Sequence, residues 1–202
     1  MTKLPTSLLS AMAVPLLALA VSGCVSFGSK PPAQVLSLSP TLRVAPGTVQ
    51  KGGTGASITV TEPEAPKKLD TVRVPVQVNP TSVAYIKGVQ WIDTPRHLFR
   101  SLLSETISAS GTTIVLDPGQ YSADPGRRLL GELVDFGIDA QSHMAIVTFD
   151  AMLASPDGSS VSKKRFSASV PVGAVTADTI GAPLNAAANK VAADVAAWIT
   201  TG

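Results

Sequence analysis

The sequence predicts an α+β fold, a mixed and largely antiparallel sheet flanked by two amphipathic helices, on three observations. Residues 57–62 and 71–78 alternate β-branched with polar side chains, the period-two pattern of half-buried strands. Three longer strand-like stretches succeed one another between residues 129 and 170, separated by turn residues. Two segments, one after Asp93 and one from Pro183, repeat apolar residues at helical spacing. Strand, strand, helix, strand, meander, helix is an α+β order that leaves both helices available to cover a sheet.

Taken in order, Ser-Ile-Thr-Val-Thr-Glu at 57–62 is the first strong strand and 63–68 a loop. Pro75 interrupts the strand at 71–78; lacking an amide hydrogen, it calls for an edge position or a bulge. Residues 81–87, with Tyr85, form a short return strand. Asp93-Thr94-Pro95 starts a helix, a capping side chain followed by proline at the first helical position. Leu98, Phe99, Leu102, Leu103 and Ile107 make its apolar stripe and Gly111 ends it, giving a rod of about 22 Å. A strand at 112–117 runs into the turn Asp117-Pro118-Gly119.

Residues 129–138 and 143–154 then pair as antiparallel strands. The first is expected to bury Leu130, Val134, Phe136 and Ile138, the second Ala145, Val147, Phe149, Ala151 and Leu153. Ser155-Pro156-Asp157-Gly158 turns the chain into a third strand at 160–170 carrying Phe166. From Pro183 to Ile199, Leu184, Ala187, Ala188, Val191, Val195, Trp198 and Ile199 fall on one stripe, alanine-rich enough for close approach to a sheet.

The amino terminus follows other rules. Lys3 is its only charge, an apolar run from Leu8 to Val21 follows, and Ser22 and Gly23 lead to Cys24, the only cysteine. The run contains Pro15 and is shorter than the ~20 residues a membrane-spanning helix needs, which is the layout of a signal peptide. Val21-Ser22-Gly23-Cys24 resembles the bacterial lipobox. That resemblance implies cleavage before Cys24, a diacylglycerol on its sulfur and an acyl chain such as palmitate on its new amine. At ~0.8 kcal/mol per buried methylene, more than one chain anchors stably. The alternatives are an ordinary secretory signal with an incidental cysteine, or a buried thiol. Val25, where a retention aspartate would stand, points to the inner leaflet of the outer membrane.

Three segments result: a leader at 1–23, a lipidated tether at 24–56 rich in proline and glycine, and a domain at 57–200. Within the tether, 35–39 alternates Leu36 and Leu38 with polar residues as a short strand would. Some 30 flexible residues have an end-to-end distance of roughly 30 Å, and roughly 100 Å as polyproline II.

Removing the leader takes only Lys3 from the 16 basic residues against 14 acidic ones, so the mature chain is nearly neutral. Its densest basic run, Lys163-Lys164-Arg165, reads as a solvated strand end, and no nucleic-acid partner is expected. His97 and His143 lie in different elements without metal-ligand spacing, so no metal site is expected; Asp93 and His97 form a local pair one helical turn apart. Nucleophile-elbow and glycine-rich phosphate motifs are missing, and Glu62, Glu64, Asp117, Asp124 and Glu132 are scattered rather than paired. No catalytic residue and no cofactor is expected. Tyr85, Trp91, Leu98, Phe99 and Trp198 are the candidates for contact with a partner or lipid, with core packing the competing use of both tryptophans and of the helix stripe.

The order of features from Leu36 to Trp198 resembles the ABC-type transport auxiliary lipoprotein family. The likeness rests on Cys24, Leu36-Ser37-Leu38, Leu69 to Val74, the Tyr85-to-Trp91 stretch, Leu130 to Phe136, Lys164-Arg165-Phe166 and the closing helix to Trp198. Ile86 and Ile92 depart from the family's usual residues. The resemblance implies a fold similar to the amino-terminal domain of TolB. It also implies an outer-membrane-anchored partner of an MCE-domain protein with its ABC permease and ATPase, moving phospholipid or similar molecules between membranes. A homo-oligomer is compatible with it. Two other functions stay open: a lipid carrier with a groove between the first helix and the sheet, and a structural envelope lipoprotein.

Overall fold

The computed structural model describes residues 34–51, 56–111, 113–116 and 126–201. The leader, the cleavage motif Val21, Ser22 and Gly23, Cys24 and the turn at 117–119 lie outside them. In chain order the elements are β1 (Gln34–Leu36), β2 (Ser57–Val60), β3 (Arg73–Asn79), β4 (Ser82–Trp91), α1 (Pro95–Ala109), β5 (Ile114–Leu116), β6 (Arg127–Asp139), β7 (Met144–Ala154), β8 (Val161–Pro171) and α2 (Gly181–Thr201).

Strand β6 is the spine. Along one side it pairs antiparallel with β7 from Arg128 to Asp139, and β7 pairs with β8 in unbroken register from Met144 opposite Pro171 to Ala154 opposite Val161. Its other side is shared: β2 runs parallel to its first residues and β3 parallel to its last. Between them Glu64 bridges Glu132. Outward from this fork, β5 joins β2, while β4 and then β1 continue from β3. The sheet is mixed and carries two helices, the α+β class expected from the pattern of strands and helices.

The two helices share one face. Phe99 of α1 meets Phe136 of β6 and Phe149 of β7 edge-on, at centroid distances of 6.3 and 5.3 Å, and Phe136 in turn meets Trp91 at 5.3 Å. Such pairs add ~0.5–1.5 kcal/mol each beyond the area they bury. Leu184, Ala187, Ala188, Val191 and Val195 of α2 are fully buried, the alanines letting the helix sit close to β7 and β8. Thr94 is the N-cap of α1 and Pro95 its first residue, yet the Thr94 hydroxyl caps nothing; its own N–H donates to the Asp93 carboxylate at 2.6 Å.

Two expectations are corrected and one is met. In β6 the buried residues are Leu129, Leu133, Phe136 and Ile138, not Leu130 and Val134. The register slips between Leu133 and Asp135, so Val134 is an extra residue, and a bulge reverses which alternate side chains face the core. Of the two alternatives expected for Pro75, an edge position or a bulge, the structure has the bulge: in the interior strand β3 the register shifts between Arg73 and Pro75, three extra residues of β4 are taken up, and Gly88 adopts φ +78°. Gly137 sits beside Pro75, where a Cβ would lie 2.5 Å from its carbonyl oxygen, so only glycine lets β3 approach β6 this closely.

The second correction concerns the tether. Residues 34–51 are part of the folded body. Gln34–Leu36 pairs parallel with Val89–Trp91, Leu36 is buried and Leu38 packs on the core. Beyond β1, Ser39 N–H donates to Asn185 Oδ1 (2.8 Å), Thr41 N–H to Asn189 Oδ1 (2.7 Å) and Val44 N–H to Glu105 Oε1 (2.9 Å). Proline and glycine prevented regular structure here but not docking, because side chains of α1 and α2 supply the partners that a sheet would otherwise give. The chain between Cys24 and the body is then residues 24–33, roughly 35 Å when fully extended.

Candidate docking surface

The residues singled out in the sequence divide by burial. Trp91 and Phe99 are 2% and 0% exposed and belong to the aromatic cluster under α1, so neither reaches a partner in this conformation. Leu102 and Leu103 are equally buried, and Leu98 packs half-buried against the same core. The stripe that would floor a lipid groove between α1 and the sheet is filled by its own side chains. Tyr85 and Trp198 are half-exposed and lie on separate surfaces.

Tyr85 belongs to the face of the sheet away from the helices. It stands opposite Pro75, its hydroxyl faces the Lys68 carbonyl oxygen at 3.4 Å, and the Arg73 guanidinium lies 3.8 Å from its ring centroid. Beside it a cleft of about 280 Å³ opens at the fork in the sheet, lined by Lys68, Pro75, Gln77, Asp135, Gly137 and Ile146. The ammonium of Lys68 reaches across the fork to the Asp135 carboxylate.

Trp198 lies near the carboxyl end of α2, its ring 5.6 Å from that of Phe166 on β8. The two floor a groove of about 490 Å³ between the strand and the helix, with Lys164, Ser167, Asp194 and Thr201 around it. The Lys164 ammonium lies 5.1 Å from the Phe166 ring centroid. On the opposite face of the same strand, Arg165 grips Asp150 of β7 through Nε and Nη2. Those hydrogen bonds hold the Asp150 carboxyl below its ordinary range despite the desolvation that opposes ionisation.

The charged residues near the start of α1 form a network rather than a catalytic pair. Arg96 lies 3.0 Å from Glu62 and 3.6 Å from Asp70, and Lys67 2.9 Å from Asp70. His97 Nδ1 is 3.6 Å from Asp93 and 3.9 Å from Glu62. Hydrogen bonding and charge from Lys67, with Arg96 behind it, lower the Asp70 pKa. All these groups are at least a third exposed, so the network is worth little to stability and fixes loop 61–70 against the helix. Among the described residues no group of three or more His, Cys, Asp or Glu is placed to hold a metal ion. Among them, too, no helix is long and apolar enough to cross a membrane.

Sequence reasoning missed Asn185 and Asn189, which fasten the amino-terminal segment. Their signal was available: two asparagines four apart, beside an otherwise alanine-rich stripe. It also missed the Lys68–Asp135 bridge, which only the fork in the sheet brings together.

No curated protein matches the chain in sequence at a significant level. Among solved structures it resembles a Xanthomonas campestris protein of the DUF330 family, with a TM-score of 0.68, 16% identity and coverage of 83% of this chain and 95% of that one. A second, uncharacterised protein gives a TM-score of 0.63 at 13% identity, covering 83% and 99%. At such identities the likeness is one of fold. The sequence itself matches the model of the ABC-type transport auxiliary lipoprotein component over residues 38–196, from the docked segment after β1 to near the end of α2. Spanning nearly the whole folded body, that match shows that the chain belongs to the ABC-type transport auxiliary lipoprotein family.

Proposed function

We propose that this protein is the outer-membrane docking subunit of an ABC transport system built around an MCE-domain protein, carrying phospholipid or similar hydrophobic molecules between the membranes. The observation that carries this reading is the family match over residues 38–196, downstream of Val21-Ser22-Gly23-Cys24, which resembles a lipobox. Acylated Cys24 holds the body to the inner leaflet of the outer membrane. With residues 34–51 docked, the connecting chain is short, so the body stays within roughly 35 Å of the lipid surface. ATP hydrolysis belongs to the partner ATPase, and the role of this chain is binding rather than catalysis. A lipid carrier with cargo under α1 has less to support it, since Phe99, Leu102 and Leu103 fill that space.

The test combines co-purification and anchoring. Tagged, lipidated protein from cross-linked cells should bring down an MCE-domain protein. Cys24→Ala should leave a folded domain released into the periplasm that no longer supports transport. Full transport by Cys24→Ala, or a lipidated and folded bait that recovers no transporter subunit, overturns the reading.

A further inference from the structure

We infer that the outer edge of β8, with the groove beside Trp198, is a binding site for an extended acidic segment of another protein, which adds to the sheet as one more strand. Strand β8 has eleven residues and pairs with β7 in continuous register, without a bulge. Among the described residues no strand lies on its other side, so its alternate N–H and C=O groups face outward. The remaining short terminal strands, β1 and β5, have three residues each. A peptide laid along β8 gains main-chain hydrogen bonds from the edge and places alternate side chains between strand and helix, the recognition mode in which the edge gives affinity and the groove selectivity. The groove suits an apolar side chain, because Phe166 and Trp198 floor it.

Charge selects the occupant. Lys163, Lys164 and Arg165 are consecutive and exposed on this strand, and only Arg165 is paired with a carboxylate. A second copy pairing edge to edge would bring six cations into one interface against the two Asp150 carboxylates, which disfavours self-association there. The undescribed amino-terminal segment of this chain offers no complement either: residues 1–33 contain Lys3 and Lys30 and no Asp or Glu. A separate chain carrying Glu or Asp at alternate positions suits this edge: its acidic side chains fall on the face of Lys163, and its apolar ones on the face of Phe166 and Trp198, where Lys164 borders the groove.

This deepens the docking reading and rests on it only for the identity of the partner; the experiment reads the surface without the transporter, so either can fail alone. The full chain is titrated by fluorescence polarisation with three labelled heptapeptides: Glu-Val-Glu-Leu-Glu-Val-Thr, its counterpart with Lys for every Glu, and the acidic peptide with Pro for Leu. The expected result is binding of the first at least tenfold tighter than the other two, with slowed amide exchange along 161–171. Lys163→Glu with Lys164→Glu should erase that preference while leaving the thermal melt unchanged, and Lys163→Gln with Lys164→Gln should weaken it. Equal binding of all three peptides, or protection mapped to another part of the sheet, overturns the proposal. So does self-association that protects 161–171 without peptide. Charge-sensitive binding to phosphatidylglycerol vesicles in place of the acidic peptide would assign the lysines to a membrane surface instead.

Discussion

Replacing Asn189 by alanine should undo the docking of the amino-terminal segment without dismantling the domain. Asn189 is 9% exposed; its Nδ2 donates to the Ser39 carbonyl oxygen at 2.9 Å and its Oδ1 accepts the Thr41 N–H at 2.7 Å. Each bond contributes ~0.5–1.5 kcal/mol net, so the pair is worth about 1–3 kcal/mol. Ser39 and Thr41 are themselves exposed, and water can replace the lost partners, which favours the lower half of that range. The loss is local. Amide exchange at Thr41, and at Val44 beyond it, should accelerate by roughly 5- to 30-fold, since ~1.4 kcal/mol is tenfold. Exchange in β7, paired on both sides and largely buried, should change far less. Asn189→Asp, which keeps the acceptor and loses the donor, should fall between the two. Unchanged exchange at Thr41 in Asn189→Ala, or a uniform acceleration that includes β7, refutes the view that this side chain is a local fastener.

Other substitutions test the core and its turns. Phe99→Ala removes the ring shared by Phe136 and Phe149 and should cost about 3–5 kcal/mol in chemical denaturation; a loss below ~1 kcal/mol would show that the cluster is dispensable. Gly137→Ala sets a methyl 2.5 Å from the Pro75 carbonyl oxygen and should destabilise by about 1–3 kcal/mol, whereas Gly158→Ala meets no atom within 4 Å and is opposed only by its φ of +72°. Asp157 accepts hydrogen bonds from the Ser155 hydroxyl, and from the Ser159 N–H and hydroxyl, which hold its carboxyl at about 2 against an ordinary 3.8. Because the folded pKa is the lower one, this stabilisation is fully present above about pH 4 and disappears as pH falls through about 2. An NMR titration of Asp157 with a midpoint near 4 would contradict the turn geometry.

Legibility in the sequence followed the range of the interactions concerned. The β6–β7–β8 meander and both helices were readable because period-two and period-3.6 patterns are local, and five alternating residues of β7 face the core as their spacing requires. Burial in β6 was not, since Leu129 and Leu130 are both apolar and the alternation alone cannot reveal a bulge at Val134. The candidate contact residues illustrate the same limit. Trp91, Phe99 and Trp198 are alike as large aromatic side chains beside helical segments, yet two fill the core and one stays half-exposed beside Phe166.

The sequence by itself determined the anchoring expectation at Cys24, the class of the fold and its family, because these rest on residue order, composition and short-range periodicity. Only the tertiary structure decided that residues 34–51 belong to the body, that the strands fork around β6, and that β8, among the described residues, is a long edge strand with a groove beside it. Those features join residues far apart in the chain, such as Thr41 with Asn189 and Lys68 with Asp135. Their partners are chosen by packing and by the need to satisfy polar groups, neither of which leaves a local pattern to read.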